Sequence, residues 1–155
     1  MKKFLLTIVL GSLLLAGVIE ADKNATCLIR KIKVYEAPRW VTTIQVRSGE
    51  TIYFCSPKSM FEFFFHPAKW SQYNVKQDGD MRISVNTHDT LKKIDARKAY
   101  FVYGAKEISP AGDDLPAFET KESAQKFADK NGGKKVLFFD EVPFALINLL
   151  NGRIK

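Results

Sequence analysis

The sequence predicts an α+β fold made of two similar ββαβ units, each a small antiparallel sheet with one helix. Patterns typical of strand, strand, helix and strand follow one another in this order twice along the chain. The halves also repeat: after a shift of 64 residues, Ser56 aligns with Thr120 and Phe63 aligns with Phe127. In addition, Ser56 and Thr120 each stand where the N-cap of a helix is expected. The two units are expected to share or adjoin their cores.

The chain of 155 residues is predicted to comprise a signal peptide at residues 1–21, a first unit at 22–90 and a second unit at 91–155. Two lysines and a short apolar stretch at the start have the pattern of a secretory signal. The stretch is too short for a typical transmembrane helix, although an uncleaved anchor remains an alternative. Val18 stands where a lipoprotein signal has its cysteine, so no lipid can be attached at this position. We therefore expect a periplasmic protein that contacts a membrane surface only through an uncleaved leader.

The composition argues against several classes of function. The net charge is +7, but the basic residues are scattered and no aromatic-and-basic nucleic-acid motif accompanies them. The sequence contains no Ser/His/Asp arrangement, no paired His-Glu motif and no Gly-rich phosphate loop. We therefore expect neither an enzyme nor a nucleic-acid-binding protein.

The strands of the first unit are predicted from alternation and turn residues. Residues 28–35 alternate apolar and basic side chains, which predicts a half-buried strand. Residues 41–46 and 51–55 are predicted to pair around a turn that contains Gly49. Residues 81–85 are predicted to complete this unit.

The first helix has clear start and stop signals. Pro57 suits the first helical position, where its missing N–H would have no partner anyway, and Pro67 stops the helix. With Ser56 as the N-cap, Cys55 and Met60 have the spacing of a hydrophobic staple, which brings two side chains together across the helix start. Two interpretations remain open for this pair. One is an apolar contact, and the other is a soft-metal site in which thiolate and thioether bind Cu(I).

The second unit repeats the same order. Its strands are predicted at residues 99–103, 115–118 and 136–140. Its helix is predicted to begin after Thr120 and to end at the Gly pair after Asn131. Residues 144–150 are predicted to form a docked helical turn at the end of the chain.

Cys27 and Cys55 are the two cysteines of the chain, and export would place them in an oxidising compartment. Three interpretations remain open: a disulfide, a metal-binding or redox pair, and two unrelated thiols. His66 is predicted to lie at the C-terminal end of the first helix, and His88 is predicted to lie in a solvent-exposed polar connector.

Several blocks of the sequence together resemble a known family. They are YFCSPKSMFEF at residues 53–63, IDARKAYFVYG at 94–104, LPAF at 115–118, ADKNGG at 128–133 and FFDEV at 138–142. In this order they resemble the NosL family, the accessory proteins of nitrous oxide reductase, over about residues 27–142. The resemblance implies a periplasmic, usually lipid-anchored protein of two ββαβ units. It further implies that the protein binds cuprous copper and hands it to the maturing reductase with the help of a membrane transporter complex.

The chain departs from the family at the residues that should bind copper, so it resembles a divergent member. Of a Cys-x-x-Cys-Gly-Met-like motif near the mature start, only Cys27 is kept, and Arg30 and Ile32 occupy the later Cys and Met positions. A Gly-Pro-Met-Gly motif in the second half has Ala111 in place of its methionine. A retained copper site is therefore expected at Cys27, Cys55 and Met60, with Met81, His66 or His88 as substitute ligands.

Two functions are compatible with these observations. The first is a copper-binding accessory protein that delivers Cu(I) for the maturation of nitrous oxide reductase and works with the membrane maturation complex. The second is a metal-free NosL-like binding or assembly module, which would keep the fold but would have lost the copper ligands. The lost motif positions favour the module, whereas Cys55 and Met60 favour copper.

Overall fold

The computed structural model describes residues 17–154, so most of the predicted signal peptide lies outside the described residues. The strands are β1 (Thr42–Val46), β2 (Thr51–Phe54), β3 (Met81–Asn86), β4 (Lys93–Asp95), β5 (Tyr100–Tyr103), β6 (Ala117–Phe118) and β7 (Lys135–Phe138). The α-helices are α1 (Pro57–Phe65), α2 (Lys121–Asn131) and α3 (Phe144–Leu150).

The strands form two antiparallel sheets with the same internal order. The first sheet has the order β2-β1-β3-β4, and the second has the order β6-β5-β7. In the first sheet, Ile44 pairs with Ile52 on one side and with Ile83 on the other. In the second, Phe101 stands in the same central place, between Ala117 and Leu137. The predicted α+β fold of two ββαβ units is therefore confirmed, and β4 is an additional edge strand that the sequence analysis missed.

The predicted strand at residues 28–35 is wrong. The chain turns back on itself here, because Cys27 N–H donates to the Ile32 carbonyl (2.8 Å) and Lys31 N–H donates to the Cys27 carbonyl (2.9 Å). Lys31 has a φ of 59°, in the left-handed region that permits such a reversal. Only a single bridge, between Thr26 and Lys33, resembles strand pairing. The alternating pattern is not matched by burial, because Ile32 is exposed like its neighbours Lys31 and Lys33.

Aromatic side chains join the two units into a shared core. Phe61 of α1 is fully buried, and its ring centroid lies 5.2 Å from that of Phe101 and 5.0 Å from that of Phe139. Phe101 belongs to β5 and Phe139 follows β7, so the helix of the first unit packs directly on the sheet of the second. A smaller cluster beneath α2 contains Val102 and Phe118.

The last residues of the predicted signal peptide pack against the first sheet. Ile19 is buried, and its N–H donates to Asn86 Oδ1 (2.8 Å). Lys93 N–H donates to the Gly17 carbonyl (2.8 Å), which attaches this segment to β4. Within residues 17–154, no helix combines the length and apolar character needed to cross a bilayer.

Candidate metal centre

The loop that carries Cys27 lies beside the end of β2. Leu28 N–H donates to the Tyr53 carbonyl (2.9 Å), which places the Cys27 loop next to the strand that leads into Cys55. Arg30 N–H points at Cys27 Sγ from 3.3 Å. Cys27 is 0% exposed, because the tight turn folds its side chain into the core.

Cys55 lies at the junction between β2 and α1. Ser56 caps the helix, because its Oγ accepts a hydrogen bond from Ser59 N–H (3.3 Å). Cys55 Sγ lies 3.8 Å from Ser59 Oγ, and the residue is 1% exposed. The predicted N-cap therefore directs the Cys55 thiol into the core above the first turn of α1.

The structure brings the two cysteines, both buried free thiols, close enough for each to shift the ionisation of the other. The hydrogen bond from Cys55 is the main reason why the pKa of Cys27 falls to about 6, and the Arg30 N–H lowers it further. The pKa of Cys55 is raised, first by the same hydrogen bond and then by burial and by the charge on Cys27. The pair therefore favours the thiolate at Cys27 and the protonated thiol at Cys55.

Met60, the third predicted ligand, lies on the first turn of α1 and is fully buried. Its N–H donates to the Ser56 carbonyl (3.1 Å), so it occupies the predicted staple position relative to Cys55. Met60 belongs to the same buried cluster as both cysteines. Met81, a substitute ligand in the sequence analysis, begins β3 and is also buried.

The two histidines have other partners. His88 was predicted to be exposed, and this is wrong, because the residue is only 5% exposed. Its N–H donates to the Ala117 carbonyl (2.7 Å), and its Nε2 lies 2.6 Å from Glu107 Oε2. The His88 ring packs against Trp40, with centroids 4.8 Å apart. His66 follows α1, and its ring lies 4.2 Å from that of Phe144.

A buried lysine and a buried aspartate flank the start of α1. Lys58 is 2% exposed, and its Nζ donates to the Ala111 carbonyl (2.7 Å). Asp114 Oδ1 accepts a hydrogen bond from Lys58 N–H (2.7 Å), and Asp114 Oδ2 accepts one from Ser109 Oγ (2.7 Å). Burial raises the pKa of the Asp114 carboxyl, and these hydrogen bonds partly offset the effect. Burial also lowers the pKa of Lys58, and the charge of Asp114 opposes that change.

These contacts bring a loop of the second unit to the helix that follows Cys55. Ala111 is the position at which the family motif has methionine, and its carbonyl lies against Lys58 in the first turn of α1. Sequence reasoning named the Cys27 and Ala111 positions separately but did not predict that both would lie near the start of α1. It also missed Arg30, Lys58 and Asp114 as neighbours of the sulfur pair.

The arrangement offers two buried thiols, and Met60 follows on the first turn of α1. Among residues 17–154, no three His, Cys, Asp or Glu side chains are grouped closely enough to hold a metal ion. The two buried thiols are the candidate centre, because sulfur donors suit a soft monovalent ion that accepts few ligands.

Comparisons with known proteins agree with this fold. A family model described as NosL matches residues 18–147. Among solved structures, the crystal structure of the copper chaperone NosL from Shewanella denitrificans is similar, with a TM-score of 0.70 and 23% sequence identity. The match covers 84% of this chain and 98% of that chain. A search of curated proteins found no match.

Proposed function

Because this chain belongs to the NosL family, as the match over residues 18–147 shows, we propose that it binds one cuprous ion between Cys27 and Cys55 and delivers it to a partner protein. The family match confirms the resemblance seen in the sequence. The observation that carries the proposal is the pair of buried free thiols, whose segments are joined by the hydrogen bond from Leu28 N–H to the Tyr53 carbonyl. The lowered pKa of Cys27 supports it. The similar copper chaperone from Shewanella denitrificans supports it.

The thiol pair is suited to holding the ion for later transfer. Thiolates bind Cu(I) strongly, and two sulfur ligands leave the ion open to attack by a further sulfur from a partner. The lowered pKa of Cys27 favours the thiolate that binds the ion, whereas Cys55, whose pKa is raised, releases its proton as the ion binds. We include Met60, on the first turn of α1, in the proposal as a weak third ligand.

The proposed destination is nitrous oxide reductase during its maturation, reached together with the membrane complex that assembles the enzyme. Family membership supports this destination, and the predicted signal peptide supports a periplasmic location. The protein would act as a carrier and would catalyse no reaction. Transfer of copper from the loaded protein to copper-free reductase, followed by the return of the reductase's copper absorption bands, tests this part of the proposal.

Anaerobic titration of the reduced protein with Cu(I), in competition with a cuprous chelator, tests the site itself. The protein is expected to bind one ion, and Cys27→Ser and Cys55→Ser are each expected to weaken binding by more than about 100-fold. Met60→Leu is expected to weaken binding by about tenfold if its thioether is a third ligand. Met81→Leu is the matched control, because it replaces another buried methionine that lies on β3. Equal affinities for wild type and both cysteine variants would contradict the site.

Ala111→Met adds a gain-of-function test. The Ala111 carbonyl accepts a hydrogen bond from Lys58 Nζ, and we propose that a thioether at this position would reach the sulfur pair. Affinity for Cu(I) is expected to rise by about tenfold, as for an added soft ligand. Pro110→Met, which changes the preceding residue, is the control and is expected to leave the affinity unchanged.

A metal-free binding or assembly module is the second candidate. Two observations favour it: both sulfurs are buried, and the described residues hold no larger ligand cluster. In that case the Cu(I) titration would show no binding by the wild-type protein, whereas binding to the reductase or its assembly complex would persist without copper.

A further inference from the structure

The chain ends in a segment that joins the two elements carrying the sulfurs. We name residues 148–153 the C-terminal strap. The strap comprises the last turn of α3 and the three residues after it. Asn151 N–H donates to the Ile147 carbonyl (3.0 Å), and Arg153 N–H donates to the Asn148 carbonyl (2.9 Å). The NosL family match ends at residue 147, so the strap lies outside it.

One side of the strap holds α1, the helix that begins directly after Cys55. Glu62 of α1 is buried, and its carboxylate accepts hydrogen bonds from Asn151 Nδ2 (3.1 Å) and from the Arg153 guanidinium. In the first turn of the same helix, Lys58 Nζ donates to the Leu150 carbonyl (3.2 Å). Three strap residues therefore attach to α1.

The other side of the strap holds the loop that carries Cys27. The Arg30 guanidinium donates to Asn151 Oδ1 and lies 3.7 Å from Glu62 Oε2. The backbone N–H of Arg30 also donates to Cys27 Sγ. Asn151 therefore bonds to both elements, through its oxygen to the Cys27 loop and through its nitrogen to α1.

From these contacts we propose that the C-terminal strap is a closure that controls access to the sulfur pair. With the strap bound, the Cys27 loop and α1 are held together and both thiols are buried. When the strap detaches, Arg30 and Glu62 lose Asn151, the partner that they share, and the Cys27 loop is held less firmly against α1. Entry and release of the ion then depend on how often the strap opens. The role in copper exchange rests on the proposed function, whereas the control of thiol access does not.

The double variant Asn151→Ala/Arg153→Ala tests the closure in the full chain. In the reduced, metal-free protein, labelling of Cys27 and Cys55 by an alkylating reagent is expected to be about tenfold faster than in wild type, because hydrogen bonds to a buried charge are lost. Release of Cu(I) to a chelator is expected to accelerate by a similar factor. Lys92→Ala is the matched control, because it removes an ion pair with Glu119 elsewhere on the surface.

The outcomes separate the two proposals. Faster labelling in the double variant alone supports the closure, even if no variant binds copper, and in that case only the copper site fails. Unchanged labelling in a folded double variant overturns the closure, as does equal acceleration by Lys92→Ala. If the double variant does not fold, amide exchange in the wild type decides. The opening rate that amide exchange gives for Asn151 and Arg153 is expected to equal the rate at which the thiols are labelled. A tenfold difference between these two rates, in either direction, overturns the proposal.

Discussion

The protonation of Cys27 depends chiefly on one neighbouring side chain. Cys55→Ala removes the hydrogen bond that lowers the pKa of Cys27 to about 6, so the pKa is expected to rise toward the ordinary value of 9.0. Cys55→Ser keeps a hydroxyl donor and is expected to cause a smaller rise. The ultraviolet absorbance of the thiolate, followed against pH, measures both values. An unchanged pKa in Cys55→Ala would show that the backbone N–H groups alone stabilise the thiolate.

The backbone conformation of Lys31 lets the loop that carries Cys27 turn back on itself. Lys31 has a φ of 59°, which costs about 1–2 kcal/mol for a residue other than glycine, Asn or Asp. Lys31→Gly is therefore expected to raise the free energy of unfolding by about 1 kcal/mol, since part of the gain is lost to the greater freedom of the unfolded chain. Urea unfolding measures the change. The same substitution at Lys33, which pairs with Thr26, is the control and is expected to destabilise the protein.

At the scale of elements, the repeat provides a matched pair of helix caps. Ser56 Oγ accepts from Ser59 N–H at 3.3 Å, and Thr120 Oγ1 accepts from Ser123 N–H at 3.1 Å. Ser56→Ala and Thr120→Ala are each expected to cost about 1 kcal/mol of stability in urea unfolding. Only Ser56→Ala is expected to weaken Cu(I) binding as well, because Ser56 directly follows Cys55. Equal losses of copper affinity in both variants would indicate a general effect of stability.

The elements that the sequence predicted correctly have strong local signals. Pro57 and Pro67 bracket α1, and Thr120 precedes α2, as the cap and stop rules require. Residues 28–35 gave a strand pattern, yet the left-handed conformation of Lys31 turns the chain back, and lysine gives no signal for that conformation. Strand β4 has only three residues and depends on pairing with β3, so local sequence did not reveal it.

The candidate site was predictable in its parts but not in its assembly. The staple spacing placed Met60 correctly on the first turn of α1, because that relation is local. The approach of Cys27 to Cys55 depends on the hydrogen bond between Leu28 and Tyr53, which joins distant parts of the chain. The burial of His88 likewise depends on a contact with the second sheet, through the Ala117 carbonyl.

At the scale of the whole molecule, Asp114 couples the two units. It lies in a loop of the second unit and accepts the Lys58 N–H at the start of α1, which belongs to the first. Asp114→Ala leaves buried donors without a partner and is expected to lower the free energy of unfolding by about 2–3 kcal/mol. Urea unfolding tests this, with Asp113→Ala as the control, because Asp113 is the exposed neighbour of Asp114. Comparable losses in both variants would contradict a specific role for Asp114.

The two sulfurs belong to separate segments of the chain, one before β1 and one after β2. An ion bound by both sulfurs would stabilise the folded protein, since a ligand that binds only the folded state shifts the unfolding equilibrium toward that state. Copper binding and stability would then be coupled, and the copper-loaded protein would resist proteases longer than the copper-free protein. Each transfer of copper would leave a less stable protein. The supply of copper would therefore regulate the abundance of this protein.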